Sequence, residues 1–495
     1  MRRAIVGNPG NASASRLRLG LALIAAEQLV EAMAALAALT RDVPHSPSAW
    51  QTLGAARRLA GDVAGAGAAF ERVLRLRPAD PLARLSRAQV AADRGRPAAA
   101  LYAQALAVDP TSAPARLGVA GALAGEGRAG DALALLRDRL VREPGWTGGW
   151  TALASIAHRW EGVDAFRATT RAMFEAEPDN AAQMLAAIRL LARARDHARA
   201  LAWIADARGL AGDSPPLQLA EAEALDELGD CTAAGAILDR LAPLAEPVVD
   251  LARVRHALRG REPERAAAIA ERLLTGPAEA AAWPYLGTAW RLLDDPRWAW
   301  LESDERLVGG YDLGLSAPDL GALAERLRAL HHARHAPFEQ SMRGGTQTEG
   351  WLLSREEPEL RRLRAALEQA IATHIAALPP PDPRHPTLRE PRGRVRFTGS
   401  WSVRLTGGGH HVNHVHSEGW FSSACHIALP PEEGDAGALT LGEPPCELGL
   451  GLPPSRVIRP VAGRVVLFPS TMWHGTAPFA AGERLTVAFD VRPLV

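Results

Sequence analysis

Alanine- and leucine-rich segments of helical character fill the first part of the chain, and prolines break them at Pro44, Pro78, Pro110, Pro144 and Pro178. The steps are 34, 32, 34 and 34 residues, the period of stacked helical hairpins. Ahead of them, the apolar run from Leu17 to Leu39 is interrupted by Arg18, Glu27, Gln28 and Glu31. That interruption predicts an amphipathic helix, not a signal peptide or a membrane span. Helical composition persists from Asp213 to about Leu301, with breaks near Pro215, Pro247 and Pro277. The pattern then changes. Isolated helices are predicted from Leu320 to His332 and from Pro358 to Leu378, on either side of the polar segment Gln340 to Thr348. Beyond the proline run 379–383, strand-like stretches are predicted at 394–405, 421–429, 438–441, 456–459, 464–468 and 484–491. Short strands with Gly and Pro turns argue for a sandwich or jelly roll. The expected chain is therefore multidomain, α then β. An all-α solenoid covers 16–301, connecting helices and a lead-in segment cover 302–390, and a double-stranded β-helix covers 391–495.

In the unit ending at Pro78, the residues Trp50, Leu53, Gly54, Ala66, Phe70 and Pro78 fall in register with the tetratricopeptide pattern, and Ala98, Tyr102, Ala105 and Pro110 repeat it. The stretch from about 45 to 180 thus resembles tetratricopeptide repeats, and Trp283, Leu286 and Gly287 suggest a further repeat start. Small residues let paired helices approach, and bulky ones fill the gap to the next repeat. Trp50, Phe70, Tyr102 and Trp150 read as packing residues. The resemblance implies a concave groove suited to a peptide or protein partner.

At 495 residues the chain exceeds one ordinary core. Its 56 basic and 56 acidic residues cancel, which argues against a dedicated nucleic-acid or anionic-membrane surface. No lysine is present. That excludes Schiff-base chemistry and a phosphate-loop lysine. Cys231, Cys425 and Cys446 form no CxxC pair, so neither a disulfide framework nor a zinc knuckle is indicated, and a reducing, cytoplasmic setting is expected.

The chemistry concentrates near the C-terminus. Alternate residues of an extended segment share a face, so His414 and His416 can point at one ion while His474 arrives from a later strand. Three such ligands make a facial site of the non-haem Fe(II) kind, with positions left for a 2-oxo acid and dioxygen. Arg484 opens a strand from which a guanidinium can hold the distal carboxylate of that acid. His416 and Glu418 supply a histidine-x-carboxylate pair in an alternative register; the three-histidine set is preferred. His410 and His411 read as ordinary surface or core histidines, and His331, His332 and His335 as a solvated helical face. The face of Arg404 stays open.

These residues also match a pattern. His414-Val415-His416, Trp420-Phe421-Ser422-Ser423, Phe468-Pro469-Ser470 followed by His474, and Arg484 followed by Phe489 resemble the core of the 2-oxoglutarate/Fe(II)-dependent oxygenases that follow tetratricopeptide repeats. The segment Gln340 to Thr348 resembles the opening motif of that family, so the likeness covers roughly 335 to 495. It implies Fe(II) as metal, 2-oxoglutarate as cosubstrate, and a dioxygenase that hydroxylates a protein or protein-delivered substrate. One departure stands out: Cys425-His426 replaces the family's tyrosine pair, and His426 is expected either to take over the lost contact to the cosubstrate or to add a further ligand. The rival expectation is a non-catalytic repeat scaffold with a degenerate jelly roll.

Overall fold

A computed structural model describes residues 9–431 and 434–495. Eighteen helices, from α1 (Pro9–Ala25) to α18 (Pro296–Glu302), follow one another as hairpins joined by short turns. The proline period has a physical basis. For four of the five prolines, the side chain six residues on donates to the proline's carbonyl: Trp50 Nε1 to Pro44 O (3.0 Å), Arg84 Nη2 to Pro78 O (2.9 Å), Arg116 Nη2 to Pro110 O (2.7 Å) and Trp150 Nε1 to Pro144 O (2.7 Å). Trp50 and Trp150 thus also cap the connecting loops. Ser46, Asp80 and Ser112 accept from Ala49 N, Ala83 N and Ala115 N and so start helices at the first turn. A Cβ at Gly54 would run into the Phe70 ring, so paired helices meet where the repeat pattern puts its small residue.

The expected single helix over 17–39 is instead a hairpin of α1 and α2 (Leu29–Asp42). Glu27 turns the chain at φ 58°, and Leu29, Ala32, Leu36 and Leu39 are buried by the fold-back. A continuous helix would leave that apolar stripe exposed. No described helix is long and apolar enough to cross a membrane.

The rest of the chain is a jelly roll with flanking helices. Its strands are β1 (Gly309–Asp312), β2 (Met342–Gln347), β3 (Val395–His411), β4 (Phe421–Ala428), β5 (Leu439–Leu441), β6 (Arg456–Ile458), β7 (Arg464–Pro469), β8 (His474–Thr476) and β9 (Glu483–Pro493). One antiparallel sheet has the order β1-β7-β4-β9-β3-β2, and a smaller one has the order β6-β5-β8. Alternation along β9 divides the structure. Leu485, Val487, Phe489 and Val491 face a helical layer, where they meet Leu323 and Leu327 of α19 (Ala317–Arg328) and Leu363 and Leu367 of α20 (Pro358–Ala377). Arg484, Thr486, Ala488 and Asp490 face the barrel interior.

Strands β1 and β2 lie where no strand was expected. Both are glycine-containing and lack an alternating apolar pattern. Gly345 adopts φ 135° at the bulge between β2 and β3, and a Cβ there would collide with Arg404 O, so this glycine is demanded by the register. The helix expected to reach His332 stops at Arg328, because His331 turns inward to Thr346 Oγ1 (2.8 Å) and Ser402 Oγ (3.2 Å).

The turns within successive repeats press against the β domain along the solenoid. Arg94 and Arg96 pair with Glu356, Arg159 with Glu349, and Arg195 with Glu447. Near one end, Val30 N donates to Val495 O (2.9 Å). At the other, Leu448 and Leu450 are buried among α15 (Pro247–Arg259), α16 (Pro263–Leu273) and α17 (Glu279–Leu292). Each of those leucines contributes roughly 2 kcal/mol of burial. A fragment beginning at residue 335 loses β1 and α19 and exposes both leucines, so it should not melt cooperatively. Circular dichroism checks this, and a sharp transition like that of the full chain would contradict the shared packing.

Candidate metal centre at the barrel mouth

The loop after β3 and the start of β8 are tied by a reciprocal backbone pair, His414 N to His474 O (2.9 Å) and His474 N to His414 O (3.0 Å). His416 N donates to Ser470 O (3.0 Å) and holds the next ligand candidate to the same turn. The potential ligand atoms of His414, His416 and His474 lie within 4.8 Å of one another. Each ring is oriented through Nδ1. His414 Nδ1 faces Val412 O (2.9 Å), His474 Nδ1 faces Met472 O (3.1 Å) and His416 Nδ1 faces Asp490 Oδ2 (2.7 Å). Acceptors at all three Nδ1 positions select the tautomer that leaves Nε2 as a lone-pair donor, the outer-shell arrangement of metal-bound histidines. Asp490 is itself fixed, since Ser422 Oγ donates to its Oδ1 (2.6 Å).

Burial reinforces the neutral state. Desolvation, followed by the nearby His416, pushes His414 down to about 3, and His474 lies well below its ordinary value for the same two kinds of cause. Arg484 sits in the same cavity, fully buried, with Nε and Nη2 lacking any hydrogen-bond partner. Burial lowers its pKa to about 10. Two buried, unpartnered guanidinium donors beside a histidine triad fit a carboxylate-bearing ligand.

On β4, alternation separates the unusual pair. Cys425 turns to the helical layer, where burial raises its pKa to about 12. His426 pairs in register with Thr486, whose side chain lines the barrel interior; both its ring nitrogens are buried without a partner, and burial, then Arg484, lowers its pKa to about 3.

Other sequence candidates are sorted by position. Glu418 is exposed and does not belong to the triad's cluster. Arg404 lies on the outer face of β3 and ion-pairs with Glu483 (2.5 Å). His410 only meets Gly408 O (3.2 Å), whereas His411 lines the cavity and shares Ser341 Oγ (3.0 Å) with His414 Nε2 (3.1 Å). The surface-or-core reading of His411 is therefore corrected. The solvated helical face expected of His331, His332 and His335 is also absent. All three lie past α19; His331 is drawn inward, and His332 and His335 approach the solenoid turns at Gly127 and Gly162.

Three contributors escaped the sequence reading. Asp490 could have been found, because it follows Arg484 by an even number of residues on one strand and must share its face. Trp401, stacked on His416 at 5.5 Å, carried no comparable signal. The third is the repeat domain. Trp473, next to His474, donates through Nε1 to Pro284 O (3.2 Å), lies 3.0 Å from Thr288 Oγ1, and meets the Tyr285 ring edge-on. All three partners belong to α17, so a solenoid helix anchors the neighbour of a triad histidine.

A jelly roll with a histidine triad and a buried arginine at its mouth is the class that fold and site define. Residues 399–490 match the family model described as "Putative 2OG-Fe(II) oxygenase". The C-terminal part of the chain thus matches that oxygenase model, behind a solenoid of helical hairpins. No curated protein matches the sequence. Among solved structures, yeast Tom70 is similar at 15% identity over 61% of this chain and 69% of that one, with a TM-score of 0.39. A Pseudomonas putida prolyl-4-hydroxylase is similar at 19% identity over 40% of this chain and 96% of that one, with a TM-score of 0.28. At such scores neither likeness speaks to activity.

The buried imidazoles give a pH signature. A histidine whose folded pKa is lowered stays neutral while the unfolded chain protonates, so stability is full above about 6.5 and falls as pH drops toward the folded value. For His426 that window runs from about 6.5 down to about 3. Replacing His426 with Leu should make the fall between pH 6.5 and 4 shallower by up to about 1.4 kcal/mol per pH unit. Urea unfolding across that range checks it; an unchanged slope would mean that His426 titrates normally.

Proposed function

We propose that this protein is a 2-oxoglutarate- and Fe(II)-dependent dioxygenase that hydroxylates a polypeptide presented by its repeat domain. The observation that supports this best is the convergence of three Nδ1-anchored imidazoles on a cavity that also holds the unpartnered donors of Arg484. His414, His416 and His474 would hold Fe(II), and Arg484 would receive the distal carboxylate of 2-oxoglutarate. Bound there, metal and cosubstrate supply the oxidising chemistry: dioxygen is consumed, 2-oxoglutarate becomes succinate and carbon dioxide, and one oxygen atom enters a substrate C–H bond.

The chain's own residues account for the rest. Asp490 holds the proton on His416 Nδ1 and fixes the ring plane; the carbonyls of Val412 and Met472 do the same for the other two rings. Val403, Leu439 and Phe468 line the cavity with apolar surface, which excludes water and strengthens the pairing of Arg484 with a carboxylate. His426, held neutral beside Arg484, adds no competing charge and offers a ring nitrogen in place of the missing phenol. The cytoplasmic assignment belongs to this same reading.

Anaerobic Fe(II) titration tests the ligand set. His474→Ala should lose most one-to-one binding, because two imidazoles cannot close a facial site, while Glu418→Ala should titrate like the parent protein. The reverse ranking would transfer the site to the carboxylate register. Arg484→Ala should raise the 2-oxoglutarate concentration needed for half-maximal dioxygen uptake at least tenfold, the equivalent of roughly 1.5–3 kcal/mol for a charge-assisted contact. An unaltered requirement would place the anchor elsewhere.

A further inference from the structure

Beside the histidine cavity, a cleft of about 650 Å³ runs between the barrel mouth and the repeat domain, with His414 and His416 at its edge. Arg195, Arg259 and Tyr285 contribute to its solenoid wall, and Phe338 and Arg343 to its β-domain wall. Arginines are plentiful here, but nearly all are matched. Arg193 pairs with Glu339 (3.4 Å), Arg195 with Glu447, Arg255 with Glu223, and Arg259 with Asp226 (2.9 Å) and Glu227. Arg343 differs. Its Nη1 donates to Gln340 O and Met342 O (2.9 Å each), and no carboxylate among the described residues pairs with it. The guanidinium is half-buried, and burial, followed by the positive charge of Arg195, lowers its pKa against a smaller opposing pull from Glu447, which is itself paired with Arg195. A partly desolvated cation whose hydrogen bonds go only to carbonyls gains most from an incoming anion.

Resting on the polypeptide-hydroxylase reading, we infer that the cleft selects an acidic segment: an Asp or Glu carboxylate of the substrate pairs with Arg343, close to the His414 and His416 edge where the oxidised residue lies. Position favours this role. Arg343 is two residues from Ser341, whose hydroxyl touches His414, so an acid docked there sits near the metal centre. A carboxylate fits better than a phosphate, since one guanidinium is free and its neighbours are committed to glutamates and aspartates. The two-domain wall, with Tyr285 and Phe338 across the gap, suits an extended peptide more than a small acid.

The test uses the full-length, metal-free protein and fluorescent seven-residue peptide libraries, degenerate except for a central Glu or a central Gln. Fluorescence anisotropy should show the Glu library binding at least tenfold more tightly, with the preference shrinking as ionic strength rises. Arg343→Gln should abolish the preference and Arg343→Lys should retain part of it, the second variant separating charge from misfolding. Equal affinities, no binding of either library, or a preference that survives Arg343→Gln would overturn the inference. So would its loss in Arg484→Gln, because the acid would then be occupying the cosubstrate anchor. Dioxygen uptake with 2-oxoglutarate is measured separately, and its absence alongside an intact Glu preference would sink only the oxygenase reading.

Discussion

The reciprocal backbone pair between His414 and His474 is the constraint on which the candidate centre depends. It joins the loop that leaves the long strand β3 to the first residue of β8, and so links the large sheet to the small one at the barrel mouth. Without it, His414 and His416 would belong to a loop and His474 to a separate edge. With it, the rings of His414 and His474 lie 4.1 Å apart and His416 completes the cluster. The same turn reaches the solenoid, because Trp473 is locked onto α17. Repeat domain and candidate metal centre are therefore linked through one turn, and the solenoid walls the cleft beside that centre.

That continuity changes what the repeats do. A solenoid read from sequence presents a concave groove, free to hold a partner. Here the turns of successive repeats meet the β domain, and one of the spaces left between the two opens beside the histidines. Burial keeps His414 and His474 neutral and the Arg484 donors dry. The cost is a set of polar groups that folding alone does not satisfy, which is where function and maximal stability part company.

Much of this was legible in the sequence for local reasons. Strands β3, β4, β7 and β9 announced themselves through alternation or continuous apolar runs, and the triad through an x-spaced histidine pair with a third histidine after a Phe-Pro-Ser turn. Proline spacing exposed the repeats because four of the five proline carbonyls accept from the side chain six positions on. Strands β1 and β2 were hidden, since their glycines serve the bulge and close packing of a neighbour and carry no periodicity. The turn at Glu27 was hidden by an apolar pattern that a hairpin and a single helix share. Contacts such as Trp473 on α17 join residues almost two hundred positions apart, and no local pattern encodes them.

The central claim is that three imidazoles, and no protein carboxylate, make up the protein's share of the metal coordination. X-ray absorption at the iron edge of the Fe(II)-loaded full chain measures this directly. Multiple-scattering features of three imidazole rings are expected, reduced to two in His416→Ala and unaltered in Glu418→Ala. A spectrum fitted by two imidazoles, with an oxygen ligand that disappears in Glu418→Ala, would contradict it.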